Sequence, residues 1–324
     1  MKAIASLQYH NPSFLRKLLI GENYREEWET PVQLPVLNLT AKELHIKELG
    51  GGKQTKSLKL LDKNGIEWAL RSVDKDVRPA VPKAIRNGLT VSVVQDMVSA
   101  ANPYAPMSIP PLAEAVGIKA SVPRYYFVPD DTALGPYRDI FANTICILEQ
   151  RDIMPGLKLE GTEKVLKDIM DDQKIRVNQE AFLNARLLDM LIGDWDRHYD
   201  QWKWAPVELN GKISYLPLPK DRDQAYFYSQ GWLLKLIRLF GMDFSVGFTE
   251  STSNLVKLNS VARTLDELLL NRLSRNDWKA IAGQFQGQLS DSLIRSAVKE
   301  LPPSIYALHG PAITEKLLQR KRTL

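Results

Sequence analysis

The sequence predicts an α+β protein in two parts, a strand-rich first half and a mainly helical second half. Three observations carry that expectation. Between Leu44 and Val73 the chain reads as strand, glycine loop, strand, tight turn, strand. The run Thr144-Ile145-Cys146-Ile147-Leu148, within Asn143 to Glu149, is continuous enough in apolar residues for a buried strand. From Glu163 onward, apolar residues recur mostly at helical spacing.

The elements follow in order. Ser13 to Ile20 reads as a short helix, and Pro31 and Pro35 close the opening segment. His45 to Leu49 is a strand edge broken by Gly50-Gly51-Gly52. Thr55 to Leu61 alternates polar and apolar residues, Asp62-Lys63-Asn64-Gly65 supplies a hairpin turn, and Ile66 to Val73 is the returning strand. Leu89 to Ala101 carries Val91, Val94, Met97 and Val98 at helical spacing and stops at Asn102-Pro103. A shorter helix, Ile109 to Val116, ends at Gly117, and Arg124 to Val128 is a strand. In the second half, helices are expected over 163–170, 179–192, 231–240, 261–273, 275–286, 289–299 and 311–322, with a hairpin from Trp202 to Leu218 turning at Asn210-Gly211.

Composition narrows the class. The chain has 324 residues, over twice the ~150 of a typical domain, which suits one large domain or two lobes with a cleft between them. With 44% hydrophobic and 25% charged residues it is a folding composition, not a disordered one. A single cysteine, Cys146, excludes an internal disulfide and a cysteine-based zinc site, and His10, His45, His198 and His309 are too scattered for a local metal cluster. The formal charge of +5 owes part of its excess to Gln319-Arg320-Lys321-Arg322, read as a solvated helix end, so no nucleic-acid partner is expected. No stretch reaches the ~18 apolar residues of a membrane span. Met1 to Asn11 lacks a secretory signal, so the expected location is cytoplasmic; a fragment of a larger exported protein would look the same and would be periplasmic.

Three segments carry chemistry. Gly50-Gly51-Gly52-Lys53-Gln54-Thr55, between two strands, lets the backbone approach a ligand and point N–H groups at an anion; a plain flexible hairpin tip is the alternative. Arg71, on the next strand, can neutralise phosphate charge or simply lie with its stem packed, and the helix after it carries Gln95 and Asp96. Leu191-Ile192-Gly193-Asp194-Trp195-Asp196-Arg197-His198-Tyr199-Asp200-Gln201-Trp202 follows an apolar helix, and Lys220-Asp221-Arg222-Asp223 follows the hairpin. Two acidic clusters joined by a hairpin can hold Mg²⁺ and orient an attacking hydroxyl. Arg197 and Arg222 are alternative neutralising partners for those aspartates. Trp195, Trp202 and Trp204 are expected to pack the core, and Cys146 to be a buried strand residue.

The order of these segments resembles the protein-kinase-like fold, in the texture of its atypical members: HipA-type kinases, CotH-type kinases and type II phosphatidylinositol 4-kinases. Leu191-Ile192-Gly193-Asp194-Trp195-Asp196-Arg197-His198 is similar to their catalytic loop, Asp196 and Gln201 have its five-residue spacing, and Lys220-Asp221-Arg222-Asp223 is similar to a CotH-type metal motif. Ile147-Leu148-Glu149-Gln150-Arg151-Asp152 looks like a HipA-type hinge. Including Asn23-Tyr24-Arg25 and Leu301 to Tyr306, the chain also resembles an uncharacterised bacterial kinase-like module sometimes joined to calcineurin-like metallophosphoesterases.

The resemblance implies a two-lobed fold with an N-terminal extension (1–43), an N-lobe (44–150) and a helical C-lobe (151–324). It implies an ATP- and Mg²⁺-dependent (or Mn²⁺-dependent) phosphotransferase. Asp196 would be catalytic; Gly50, Gly51, Gly52, Lys53, Gln54, Thr55, Arg71, Gln95, Leu148, Glu149 and Gln150 would bind the nucleotide; Asp221, Asp223, Gln201 and Asp200 would hold the metal; Arg197 and His198 would support the loop. The sequence departs from the family at Arg71, which stands for a lysine, and at the helix glutamate, which is either replaced by Gln95 or missing, since no glutamate lies between Glu67 and Glu114. Arg71 and Gln95 are then expected to form a hydrogen-bonded pair. These departures make a nucleotide-binding pseudokinase the runner-up; AMP transfer and a non-enzymatic interaction module are further alternatives. Protein, sugar, lipid head group and metabolite all stand as acceptor classes.

Overall fold

A computed structural model describes residues 1–51, 55–151, 153–209, 211–238 and 247–324. The observed class is α+β, as the pattern predicts. A small antiparallel pair, β1 (Lys2–Ala3) with β2 (Val32–Gln33), opens the chain. A five-stranded antiparallel sheet follows, built from β3 (His45–Gly51), β4 (Lys56–Leu61), β5 (Glu67–Ser72), β6 (Arg124–Val128) and β7 (Thr144–Gln150), in the order β3-β4-β5-β7-β6. A third sheet joins β8 (Ile175–Val177), β9 (Trp202–Leu209) and β10 (Lys212–Pro219).

The five-stranded sheet has two unlike faces, and the period of two along each strand creates them. Leu58, Leu70 and Leu148 stand in one cross-strand row and pack with Leu60, Cys146, Val128 and Phe141 into a core. The next row, Ser57, Arg71, Ile147 and Tyr125, faces the other way, toward the core of the helical half. Between β4 and β5, Asp62 Oδ1 accepts from the backbone N–H groups of Asn64 and Ile66, both at 2.9 Å, and Gly65 takes φ +76°. The expected break at the glycines is displaced. β3 stays paired through Gly50 and Gly51, and Gly51 (φ +122°) is where the chain turns out. A Cβ there would lie 2.3 Å from the Thr55 carbonyl oxygen. Cys146 is fully buried and its thiol is pushed up to about 12 by burial, so it is an inert core residue.

Helix Gln179–Ile192 is the axis of the second half and is buried on nearly every side after Phe182. It is capped by Asn178 and ends at Gly193 in the left-handed region. Trp202 and Trp204, both buried, stack on each other and against Phe182, which bears out their packing role. Strand β8 escaped the pattern because it has three residues and pairs in parallel with β10, a partner distant in sequence. The last helix runs Pro303–Thr323, eight residues earlier than expected. Pro311 is inside it and does not start it; buried Ile305, Ile313, Leu317 and Leu318 carry the helix across the missing N–H. Among the described residues no helix is long and apolar enough to cross a membrane.

The opening segment is woven into this core. Tyr9, Tyr24, Trp28 and Leu34 pack in the same cluster as helix Gln179–Ile192. Arg25 makes a two-pronged, buried ion pair to Asp96 at 2.6 and 2.7 Å. His309, on the last helix, contacts the buried carboxylate of Glu27. That hydrogen bond raises the imidazole's pKa against the opposing effect of burial. The contact therefore stabilises the fold fully below the free histidine value of about 6.5, and the contribution fades as pH rises through the higher folded value. His309→Gln should lower urea stability more at pH 5.5 than at pH 9, by about 1 kcal/mol or less given partial solvent screening. An equal deficit at both pH values would contradict the pairing.

Candidate functional site

The inner face of the five-stranded sheet and the loops that follow helix Gln179–Ile192 meet at one group of charges. Arg71 is the centre of the sheet's contribution. One guanidinium nitrogen contacts the Glu149 carboxylate and the other lies 2.9 Å from Asp221 Oδ2. Burial works against the arginine's charge, but Asp221 and Glu149 outweigh it and its pKa is raised. The expected pair with Gln95 does not form. Gln95 donates instead to the Lys75 carbonyl oxygen at 2.7 Å and to Tyr9 Oη at 3.0 Å, and accepts from the Val77 N–H at 3.1 Å. The partner of Arg71 is a diagonal neighbour on the adjacent strand β7, on the same sheet face.

Lys75 was missed by the sequence reading. It stands four residues beyond Arg71, past the end of β5, and its ammonium pairs with Asp223. Burial opposes the charge, but Asp223 and Asp221 raise its pKa, and Asp196 adds to the same effect. The one signal available was the charge alternation Asp74-Lys75-Asp76 directly after the strand.

Three carboxylates face these two cations. Burial, then Asp223, raises the Asp196 pKa, with His198 and Lys75 pulling it down. Asp221 is raised by burial against the pull of Arg71. Asp223 is lowered despite burial, because Lys75 holds its charge. The negative charge thus settles first on Asp223. His198 Nε2 lies 3.8 Å from Asp196 Oδ1, and His198 Nδ1 accepts from the Asp200 N–H at 3.2 Å, consistent with loop support.

A buried network sets the places of both acidic loops. Arg197 is fully buried, and its Nε lies 3.1 Å from Asp189 Oδ2. Its Nη1 donates to the carbonyls of Lys220 (2.7 Å) and Asp221 (3.1 Å), its Nη2 to that of Gln201 (3.3 Å), and it lies over the Trp202 ring. Lys220 N–H donates to the Gln201 carbonyl at 2.9 Å. Arg222 Nε donates to Asp189 Oδ1 at 2.9 Å, and Arg186 to Asp189 Oδ2 at 3.0 Å. Arg197 and Arg222, alternative neutralising partners for the neighbouring aspartates, both turn to Asp189, a helix residue the sequence does not single out, and Arg197 also lies 3.8 Å from Asp194 Oδ2. Asp221 itself has φ +48°, uncommon for a residue with a Cβ. Beneath the loop Asp194 is fully buried, its carboxyl pushed up to about 8 by burial with Arg197 opposing. Its Oδ2 has no hydrogen-bond partner among the described residues.

The other expected residues divide. Gly50 stands in line with Ser57 and Arg71 across the sheet, roughly 10 Å from Arg71 at the ~4.8 Å strand spacing. Gly51 and Thr55 flank the turn, while Gly52, Lys53 and Gln54 lie outside the described residues. Leu148 is a correction: its side chain is buried in the core on the opposite face of the sheet. The register of β6 ends at Leu148, so the backbones of Glu149 and Gln150 border no strand on that side among the described residues. Asp200 is a second correction, since its side chain is 95% exposed beside His198 and outside the charge group. Gln201 contributes its backbone carbonyl to the loop network. Lys203 and Lys220 are diagonal neighbours on one face of the β9–β10 hairpin. Burial, then Lys203 and Arg151, lowers the Lys220 pKa to about 8.

Among the described residues no three or more His, Cys, Asp or Glu side chains form a metal-binding group by themselves. Asp221 and Asp223 still offer hard oxygen donors within a crowded, net negative group, the setting in which Mg²⁺ takes one or two carboxylates and completes its shell from phosphates and water.

No family model matches the chain, and no curated protein matches it. Among solved structures it is similar to the Helicobacter pylori proinflammatory kinase CtkA, at 13% identity and a TM-score of 0.46, covering 89% of this chain and 94% of that one. It is similar also to the Rio2 kinase in its ADP/Mg²⁺-phosphoaspartate complex from Chaetomium thermophilum, at 11% identity and a TM-score of 0.45, covering 88% and 73%.

Replacing Arg197 should cost more than any single loop contact suggests, because it leaves carbonyls unpaired and part of the Asp189 charge uncompensated. Arg197→Met is expected to lose about 3 kcal/mol or more in urea denaturation. Arg197→Lys should restore little of it, since one ammonium cannot span Asp189 and three carbonyls. A loss below 1 kcal/mol would show that the network does not bear on the loops.

Proposed function

We propose that the charge group is the catalytic centre of a kinase-like phosphotransferase that takes a nucleoside triphosphate, ATP in the first instance. The observation that carries the reading is the meeting of Arg71 and Lys75, from the sheet side, with Asp196, Asp221 and Asp223, from the two loops of the helical half. Phosphoryl transfer asks mainly for placement and charge neutralisation, and this set supplies both.

In this reading the β7 backbone near Glu149, beyond the end of the β6 register, receives the base. The backbone N–H groups about Gly50, Gly51 and Thr55 would face the phosphates, and Arg71 and Lys75 balance their charge. Asp221 and Asp223 would hold Mg²⁺, which supplies charge neutralisation at the phosphates. Each must first exchange its present partner, Arg71 or Lys75, for the ligand. Asp196 orients the acceptor hydroxyl and takes its proton as that oxygen bonds to the terminal phosphorus. The bond from phosphorus to the bridging oxygen breaks, and its electron pair leaves with the diphosphate. The raised pKa of Asp196 favours that proton.

The pairs Arg71–Asp221 and Lys75–Asp223 also favour a second reading, a nucleotide-responsive module with little chemistry, because they close the carboxylates against each other's counter-charges. Thermal shift with ATP, with and without Mg²⁺ or Mn²⁺, tests nucleotide binding for both readings. Release of labelled phosphate or transfer to an acceptor supports the first alone, and the acceptor's mass gain distinguishes phosphoryl from AMP transfer. Asp196→Asn should reduce turnover at least ~100-fold with ATP affinity within about threefold of wild type. Asp221→Asn should weaken binding chiefly when the metal is present. Full turnover in Asp196→Asn would overturn the assigned roles.

A further inference from the structure

We infer that the opening segment of the chain is part of the phosphate-binding apparatus: Tyr9, acting through Gln95, is a positioning residue for Lys75. The inference rests on the proposed reading for the task of Lys75, and on geometry alone for its placement.

Lys75 lies in irregular chain between β5 and helix Gly88–Met97, so no ladder or helical hydrogen bond fixes its backbone. Side chains do so instead. Asp74 Oδ1 accepts from the Lys75 N–H at 2.9 Å and from Tyr9 Oη at 2.8 Å. Gln95 holds the Lys75 carbonyl with its amide nitrogen and the Val77 N–H with its amide oxygen, clasping Lys75-Asp76-Val77 from both ends. The same amide nitrogen donates to Tyr9 Oη. One buried phenol thus joins the two groups that fix the lysine on either side of its peptide. Tyr9 is itself anchored: its ring packs edge-on against Trp28 at 4.9 Å, and its carbonyl accepts from Arg25, which also pairs with Asp96, the residue after Gln95.

The clasp suits glutamine at position 95 and not a carboxylate. The site needs one donor toward a carbonyl and one acceptor toward an N–H. A carboxylate would set oxygen against the Lys75 carbonyl oxygen. The lysine is therefore steered through its own backbone, and its ammonium is left for Asp223 and a ligand.

The test has two arms on the whole chain. The first needs no nucleotide: competitive acetylation of lysines, read by mass spectrometry, with exposed Lys158 as internal control. Lys75, whose side chain is 15% exposed, should be protected in wild type, and Tyr9→Phe and Gln95→Glu should raise its reactivity at least threefold with Lys158 unchanged. The second measures ATP affinity with Mg²⁺ by calorimetry. Tyr9→Phe should weaken binding three- to tenfold in the wild-type background and less than twofold when combined with Lys75→Ala. Unchanged Lys75 reactivity in both variants, or an equal affinity loss with and without Lys75, would overturn the inference. Tyr9→Phe keeps the ring and its packing; melting temperatures within a few degrees of wild type identify the effect as local. If wild type binds no ATP, the phosphotransferase reading falls, while the acetylation arm still decides whether Tyr9 places Lys75.

Discussion

One buried carboxylate holds the centre of this protein in place. Asp189 lies inside the most buried helix and receives Arg186, Arg197 and Arg222, all of them buried. Removing so many charges from water is costly, and the cost is offset only when geometry and hydrogen bonding are nearly complete. Arg197 adds three loop carbonyls to its ion pair, and Arg222 joins the same acid from the later loop. Neither loop has regular secondary structure of its own through Asp194–His198 or Lys220–Asp223. Their relative placement comes from sharing a counter-ion.

That arrangement decides how charge is distributed in front of it. Because Arg197 and Arg222 turn inward, Asp196, Asp221 and Asp223 are left without local cations and must look across to the sheet. Arg71 and Lys75 answer from there. The same electrostatic need ties the sheet to the two acidic loops. Two cations thus stand against more carboxylates than they can balance one for one.

The opening segment contributes support where the sheet stops. Past Val73, whose N–H still donates to the Ile145 carbonyl of β7, the chain has no strand partner among the described residues, yet Lys75 must be held. Tyr9, Asp74 and Gln95 close its backbone hydrogen bonds in place of a ladder. Arg25 and Asp96 pin the helix that carries Gln95 to the same segment.

Local features were legible from residues alone. Asp62-Lys63-Asn64-Gly65 fixes its own turn, because Asp62 accepts from N–H groups two and four residues on. Helix Gln179–Ile192 announces itself by its apolar spacing. The acidic loops and Arg71 were visible as residue types at suggestive places. Partners were not, because hydrogen bonds and ion pairs answer to direction in space. Arg71 chose Glu149, 78 residues away, over Gln95; Arg197 and Arg222 both turned to Asp189, on a helix the acidic loops do not contain; Leu148 turned its side chain to the far face of the sheet. Periodicity and turn chemistry, which act over a few residues, were determined by the sequence itself. The pairing of buried charges, which depends on which side chains the packed halves bring within about 3 Å, was decided by the tertiary structure.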